Sequence, residues 1–250
     1  MTDRKTVLIT GASAGIGAAV ARMAAKRGYD VGVGYRSDET GARAVAADVA
    51  AAGGRAVLLP GDISDPSVIP GVFETFHAAL GPLDALINNA GIVDVAARVE
   101  DMDAARLTRM FTTNLTSAFL MAGQAVRRMG THHGGAGGVI VNISSVAARL
   151  ASGGQYVDYA ASKAGMDVLT KGLSDEVAGQ GIRVAGVRPG IIDTLIHAKG
   201  GEADRADRIG PMVPMGRKGA AEEVAQAVLW LMSDSASYVS GTNIDVAGGR

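Results

Sequence analysis

The chain has 250 residues, 48% of them apolar, which suits one α/β domain or two small ones with a large core. A net charge of −1 gives no basic field to draw in nucleic acid or a membrane surface, and the absence of cysteine excludes disulfides, thiolate catalysis and cysteine-based metal sites. Met1-Thr2-Asp3-Arg4-Lys5 runs straight into a strand-like segment, and no uninterrupted apolar stretch reaches membrane-spanning length, so a soluble cytoplasmic protein is expected.

Short apolar runs alternate with longer helical patterns. Thr6–Ile9 reads as a first strand ending at the turn Thr10-Gly11-Ala12-Ser13-Ala14-Gly15-Ile16-Gly17. Ala18–Arg27 is an Ala-rich helix with Gly28 as its C-cap, and Val31–Tyr35 a second strand. Thr40–Ala52 is helical, Ala56–Pro60 a strand, Pro66–Leu80 a helix and Ala85–Ile87 a fourth strand. Asp103–Met129 reads as one long helical stretch, then Val139–Ile143 as a strand and Asp158–Gln180 as another long helix. Val184–Val187, a helix over Ala221–Met232 and a last strand over Asn243–Val246 complete the pattern. Such alternation predicts a single α/β domain over 1–250, with a doubly wound, parallel, seven-stranded sheet and helices on both faces. The least patterned segment, Asp193–Arg217, reads as a flap over the site.

Ligands in such sheets bind outside the carboxyl ends of the strands, and the chemically suggestive residues fall there. A glycine turn between strand and helix lets backbone N–H groups approach a pyrophosphate, which makes Gly11, Ser13, Ala14, Gly15, Ile16 and Gly17 candidates for a dinucleotide cradle. The second strand ends in Tyr35-Arg36-Ser37 in place of a carboxylate. Arg36 and Ser37 suit a ribose 2′-phosphate, so NADP(H) is expected in preference to NAD(H), with Asp38 and Glu39 partly offsetting the charge. Asp62 could accept from the adenine amino group with Ile63 against the ring, or simply serve its turn. Asn89, Ala90 and Gly91 close the fourth strand with small residues suited to adenosine.

Tyr159 and Lys163 stand four apart on a predicted helix and so share a face. A phenol, with a pKa of about 10, becomes a usable acid–base group when a nearby cation favours its anion. His132-His133 reads as a solvent loop, no metal site is expected, and His197 reads as a solvated loop histidine.

Together these motifs resemble the short-chain dehydrogenase/reductase family in its single-domain Rossmann form, over almost the whole chain. Thr10–Gly17 resembles its TGxxxGxG turn and Asn88–Gly91 its NNAG. Ser145, Tyr159 and Lys163 resemble the catalytic set, and Asn114 the helix asparagine that keeps a relay water. Pro189-Gly190, Ile192 and Thr194 match the cofactor-contacting stretch after the sixth strand. Three departures stand out. Ala14 occupies a position where many NADP-dependent relatives carry Arg or Lys. The serine-to-tyrosine spacing is one residue longer than usual when counted from Ser145 (Ser144 being the other candidate), through an insertion within Gly153–Asp158. Asp245–Gly249 is a variant of the usual ending. Within the family the likeness is to bacterial glucose- or sugar-1-dehydrogenase-like oxidoreductases.

The resemblance implies hydride transfer between nicotinamide and a ketone, alcohol or sugar-like substrate. Tyr159 would be the acid–base, Ser145 would hold the carbonyl oxygen, and Lys163 would bind the ribose and tune the phenol. It also implies a homotetramer, or a dimer, through the two long helices and the last helix and strand. Rival readings are a 3-oxoacyl-[acyl carrier protein] reductase, with Arg127, Arg128 and Lys171 facing the carrier, a non-catalytic NADPH sensor, and an isomerase or dehydratase.

Overall fold

Seven apolar runs pair side by side in the computed structural model, which describes residues 4–194, 200–202 and 204–250. The strands are β1 (Lys5–Ile9), β2 (Tyr29–Tyr35), β3 (Ala56–Pro60), β4 (Ala85–Asn88), β5 (Gly138–Ile143), β6 (Ile182–Pro189) and β7 (Asn243–Val246). They form one parallel sheet in the order β3-β2-β1-β4-β5-β6-β7. The helices are α1 (Gly15–Lys26), α2 (Glu39–Ala51), α3 (Ile69–Leu80), α4 (Ala104–Phe111), α5 (Ser117–Met129), α6 (Ala147–Leu150), α7 (Val157–Val177), α8 (Arg205–Ile209) and α9 (Ala221–Met232). The fold is Rossmann-like. Its strand order reverses between β1 and β4, so the crevice opens above their carboxyl ends.

Helices cover both faces, which explains why the central strands read as continuous apolar runs. Along β1, Val7 and Ile9 enter the core shared with α1, α2 and α9, while Leu8 points the other way toward Phe73, Phe76 and Met121. Leu86 and Ile140 follow Leu8, whereas Ile87 and Val141 follow Ile9. The small buried side chains of α1, Ala18, Ala21, Ala24 and Ala25, let that helix lie close to the sheet and to α9.

Local hydrogen bonding moves several expected boundaries. Asp38 accepts from Gly41 N at 3.0 Å and caps α2, which therefore starts at Glu39. Turns at Asp62 and Asp65, each accepting from the serine two residues on, delay α3 to Ile69. The stretch expected as one helix to Met129 is two helices joined by a π turn over Thr112–Thr116. α7 ends at Val177 and tightens into a single 3₁₀ turn through Gln180. The segment expected to be unpatterned is anchored where it is described. Ile192 bridges Gly219, Asp193 N donates to Gly219 O at 2.9 Å, and Lys218 pairs with Asp193 at 2.9 Å and Asp207 at 2.6 Å. His197 lies outside the described residues.

Candidate active site

β1 delivers the chain to Thr10, whose hydroxyl accepts from the N–H groups of Asn89 and Ala90 at 2.9 Å each. The Asn89 amide in turn donates to Thr10 O at 2.8 Å and Gly11 O at 3.0 Å. These bonds sew the glycine turn to the end of β4. Gly11 has φ +64°, and a Cβ there would stand 3.0 Å from Ala90 Cα. A Cβ on Gly17 would stand 2.5 Å from both the Asn89 amide nitrogen and Gly11 O, so neither position tolerates a side chain. α1 begins with no side-chain cap and no acid in its first turn, which leaves its N–H groups and dipole to an incoming anion. Gly11, Ser13, Ala14, Gly15 and Ile16 line the cleft. Gly17 does not. It lies beneath the turn against Asn89, so its part is to permit the turn.

Tyr35, Arg36 and Ser37 form the rim at the end of β2, with Asp62, Ile63, Asn89, Ala90 and Gly91 along the adjoining wall. The two acids near Arg36 are partly spent on turns. Asp38 caps α2, and Asp62 Oδ1 accepts from Ser64 N at 3.0 Å and Ser64 Oγ at 2.7 Å. Asp62 Oδ2 stands 3.8 Å from the Arg36 guanidinium, a pairing between two exposed groups that holds Arg36 only weakly.

At the end of β5 the paired serines separate. Both line the cleft, but the Ser144 hydroxyl donates to Lys163 O at 2.9 Å and so braces α7, while Ser145 stands beside Tyr159. Loss of water around the Tyr159 phenol pushes its pKa up, and a hydrogen bond with Ser145 pulls the other way. The expectation that Lys163 brings the phenol down is not what this geometry does. The Lys163 ammonium donates to Ile143 O at 2.8 Å and stands 5.8 Å from the Tyr159 ring centre. Burial lowers the pKa of Lys163 itself to about 8, against a smaller upward pull from Asp167.

Asn114 is buried in the π turn and does not line the cleft. Its Oδ1 accepts from Ile92 N at 2.7 Å, and its Nδ2 donates to Ile92 O at 2.9 Å and to Ser162 Oγ at 3.1 Å. With its amide bonded to the backbone after β4, the side chain positions that segment. Asn114 Oδ1 and the Lys163 ammonium both lie 3.4 Å from where a Cβ on Gly91 would be. Pro189, Gly190, Ile192 and Thr194 form the opposite wall, and the Thr194 methyl faces Gly15 across the crevice.

Sequence reasoning missed Tyr156 and Arg205, which also line the cleft. The Tyr156 hydroxyl donates to Glu202, and the Arg205 guanidinium stacks 4.8 Å above the Tyr156 ring. Also missed was the buried Arg106–Asp158 pair at 2.7 Å, directly before Tyr159. The only advance signal was the charge of Asp158 beside an apolar helix start. Of the surface cations considered for a carrier protein, Arg128 lies over Phe73 at 4.7 Å and Lys171 pairs with Asp175 at 2.5 Å, leaving Arg127 exposed.

Comparison with known proteins finds relatives over almost the whole chain. Residues 11–250 match the family model described as enoyl-(acyl carrier protein) reductase. The chain is 52% identical to the uncharacterized oxidoreductase YgfF of Escherichia coli K12, over 97% of this chain and 98% of that one. It is 39% identical to a 3beta-hydroxysteroid dehydrogenase of Eggerthella lenta over 98% and 93% of the two chains. It is 38% identical to the 3-oxoacyl-[acyl-carrier-protein] reductase FabG of E. coli over 99% and 97%. A crystal structure of a short-chain type dehydrogenase/reductase from Mycobacterium marinum superimposes with a TM-score of 0.91 at 36% identity, covering 98% of this chain and 94% of that one.

Proposed function

The chain belongs to the short-chain dehydrogenase/reductase family, and from that premise we propose that it is an NADP(H)-dependent carbonyl reductase or alcohol dehydrogenase with Tyr159 as its acid–base. One observation carries the reading. Ser145, Tyr159 and Lys163 meet in a cleft that also holds a glycine-rich turn, an uncapped helix start and Arg36.

The cradle fits a pyrophosphate, and Arg36 with Ser37 fits a 2′-phosphate better than two bare ribose hydroxyls. When bound, the nicotinamide supplies or accepts the hydride. Ser145 holds the carbonyl oxygen by donating to it, and Tyr159 passes its phenolic proton to that oxygen as negative charge grows there. The raised phenol pKa keeps the proton in place until it is needed. Lys163, with a pKa of about 8, can hold its charge near neutral pH and donate to the ribose hydroxyls. Alcohol oxidation runs the same proton path backwards.

A small ketone, alcohol or sugar-like compound is the proposed substrate. An acyl carrier protein is the second reading; of the cations that could meet it, Arg128 is stacked on Phe73, while Lys171 and Arg127 are exposed. Exposed Phe119, Leu120 and Val168 on α5 and α7 support assembly into a homotetramer or dimer, which light scattering would measure. Among the described residues no helix is long and apolar enough to cross a membrane.

The test is a fluorescence titration with NADPH and NADH, followed by NADPH oxidation over aldehydes, diketones, 3-oxoesters and sugars. Tyr159→Phe should bind NADPH normally and lose at least ~100-fold in turnover, the usual scale of general acid catalysis. Near-normal turnover in that variant would end the acid–base assignment.

A further inference from the structure

We propose that the substrate of this enzyme carries a carboxylate or a similar anionic group, and that Arg205 binds it. The inference rests on the reductase reading of the cleft and names the substrate class that reading leaves open.

The cofactor end of the cleft carries its acids, Asp38 and Asp62, beside Arg36. The opposite end is lined by Leu150, Ser152, Tyr156, Gly200, Arg205 and Arg250, with no acidic side chain among them in the described residues. Arg205 is held there by a built arrangement. Its guanidinium stacks on the Tyr156 ring at 4.8 Å, donates to Glu202 Oε1 at 3.0 Å and donates to Gln155 Oε1 at 3.1 Å. The side chain is only 13% exposed, so its charge is poorly screened.

Glu202 orients this guanidinium more than it neutralises it. The carboxylate also accepts from the Tyr156 hydroxyl and, through its other oxygen, from Arg208. Two guanidiniums therefore face one carboxylate, and the cluster keeps a net positive charge. A guanidinium has five N–H donors, and the two bonds above leave three for a ligand. A flat, fixed, partly desolvated fork of donors matches a carboxylate better than it matches a hydroxyl or a neutral carbonyl. The apolar side chains of Leu150 and Ile192 suit the carbon skeleton between that anion and the reacting carbonyl at Tyr159.

Isothermal titration needs no turnover and separates this inference from the reductase reading. Carboxylates from butyrate to cyclohexanecarboxylate, and the matching carboxamides, would be titrated into the protein with and without NADP⁺. The expected result is at least tenfold tighter binding of a carboxylate than of its carboxamide. Arg205→Leu should abolish that preference and Arg205→Lys should retain part of it, each variant first shown to be folded by its melting curve. Glu202→Gln should tighten carboxylate binding, because it removes the carboxylate paired with Arg205. Equal affinities, or no binding across the series, would overturn the proposal. So would a loss of affinity in Glu202→Gln matching that in Arg205→Leu, since the cluster would then be only a brace. Carboxylate binding in a protein that oxidises NADPH with no carbonyl compound would leave this site standing and remove the reductase reading.

Discussion

Lys163 is 3% exposed, and among the described residues its ammonium has one oxygen within hydrogen-bonding distance, Ile143 O at 2.8 Å. Its folded pKa of about 8 lies below the ordinary 10.5. Between those values the unfolded chain binds more protons than the folded one, so this group's contribution makes stability rise with pH across that window. Below about pH 8 the burial penalty is fully present, on the order of 3 kcal/mol at most. The melting temperature of the cofactor-free enzyme minus that of Lys163→Met should therefore grow between pH 8 and pH 10. A difference constant across that range would refute the shifted pKa. At the rim, Arg36→Ala should weaken NADPH binding at least tenfold and NADH binding much less, the scale of one charge-assisted phosphate contact. Equal weakening in a fluorescence titration would remove Arg36 as the phosphate anchor. Residue types and spacing were enough to find both cations in the sequence. They could not separate Ser144 from Ser145 except by counting, because both line the cleft and their hydroxyls diverge only when the strand ends, one to Lys163 O and the other to Tyr159.

At the scale of elements, the periodic segments were legible because burial on both faces of the sheet writes long apolar runs into the strands and Ala-rich stripes into the helices. The break between α4 and α5 was not. No proline or glycine marks it, and the reason is a side chain reaching across to another segment. Asn114 uses its amide as a double clamp on Ile92, replacing the strand partner which that backbone lacks after β4. Asn114→Ala should leave the Ile92 N–H and C=O unpaired, at a cost of about 1–3 kcal/mol. For a chain of this size that lowers the melting temperature by roughly 2–12 °C. Hydrogen exchange should accelerate at Ile92 and its neighbours. Unchanged exchange there, with activity lost, would instead favour the relay role that the family resemblance implies for Asn114.

The whole molecule depends on joining the segment after β4 to the helices beside it, and one buried ion pair does much of this. Arg106 of α4 donates to Asp158 at 2.7 and 3.3 Å and to Val95 O at 2.8 Å, while Asp158 also accepts from Tyr159 N at 2.9 Å. The segment after β4 and α4 thus meet α7, more than fifty residues further along the chain, next to Tyr159. Such contacts leave no periodic trace, and the same holds for Tyr156 with Glu202, so neither was legible in advance. Removing one member of a buried pair strands the other without water, which typically costs about 3–5 kcal/mol, whereas replacing both with neutral groups costs much less. Arg106→Met should accordingly lower the melting temperature by roughly 6–20 °C. Arg106→Met combined with Asp158→Asn should recover a large part of that loss, because the amide oxygen can still accept from Tyr159 N and no buried charge is left alone. Thermal melts of the wild type, both single variants (Arg106→Met and Asp158→Asn) and the double variant decide the matter. If the double variant is as unstable as the sum of its parts, the pair holds the fold through the geometry of its hydrogen bonds, and mutual neutralisation of the two charges fails as the explanation.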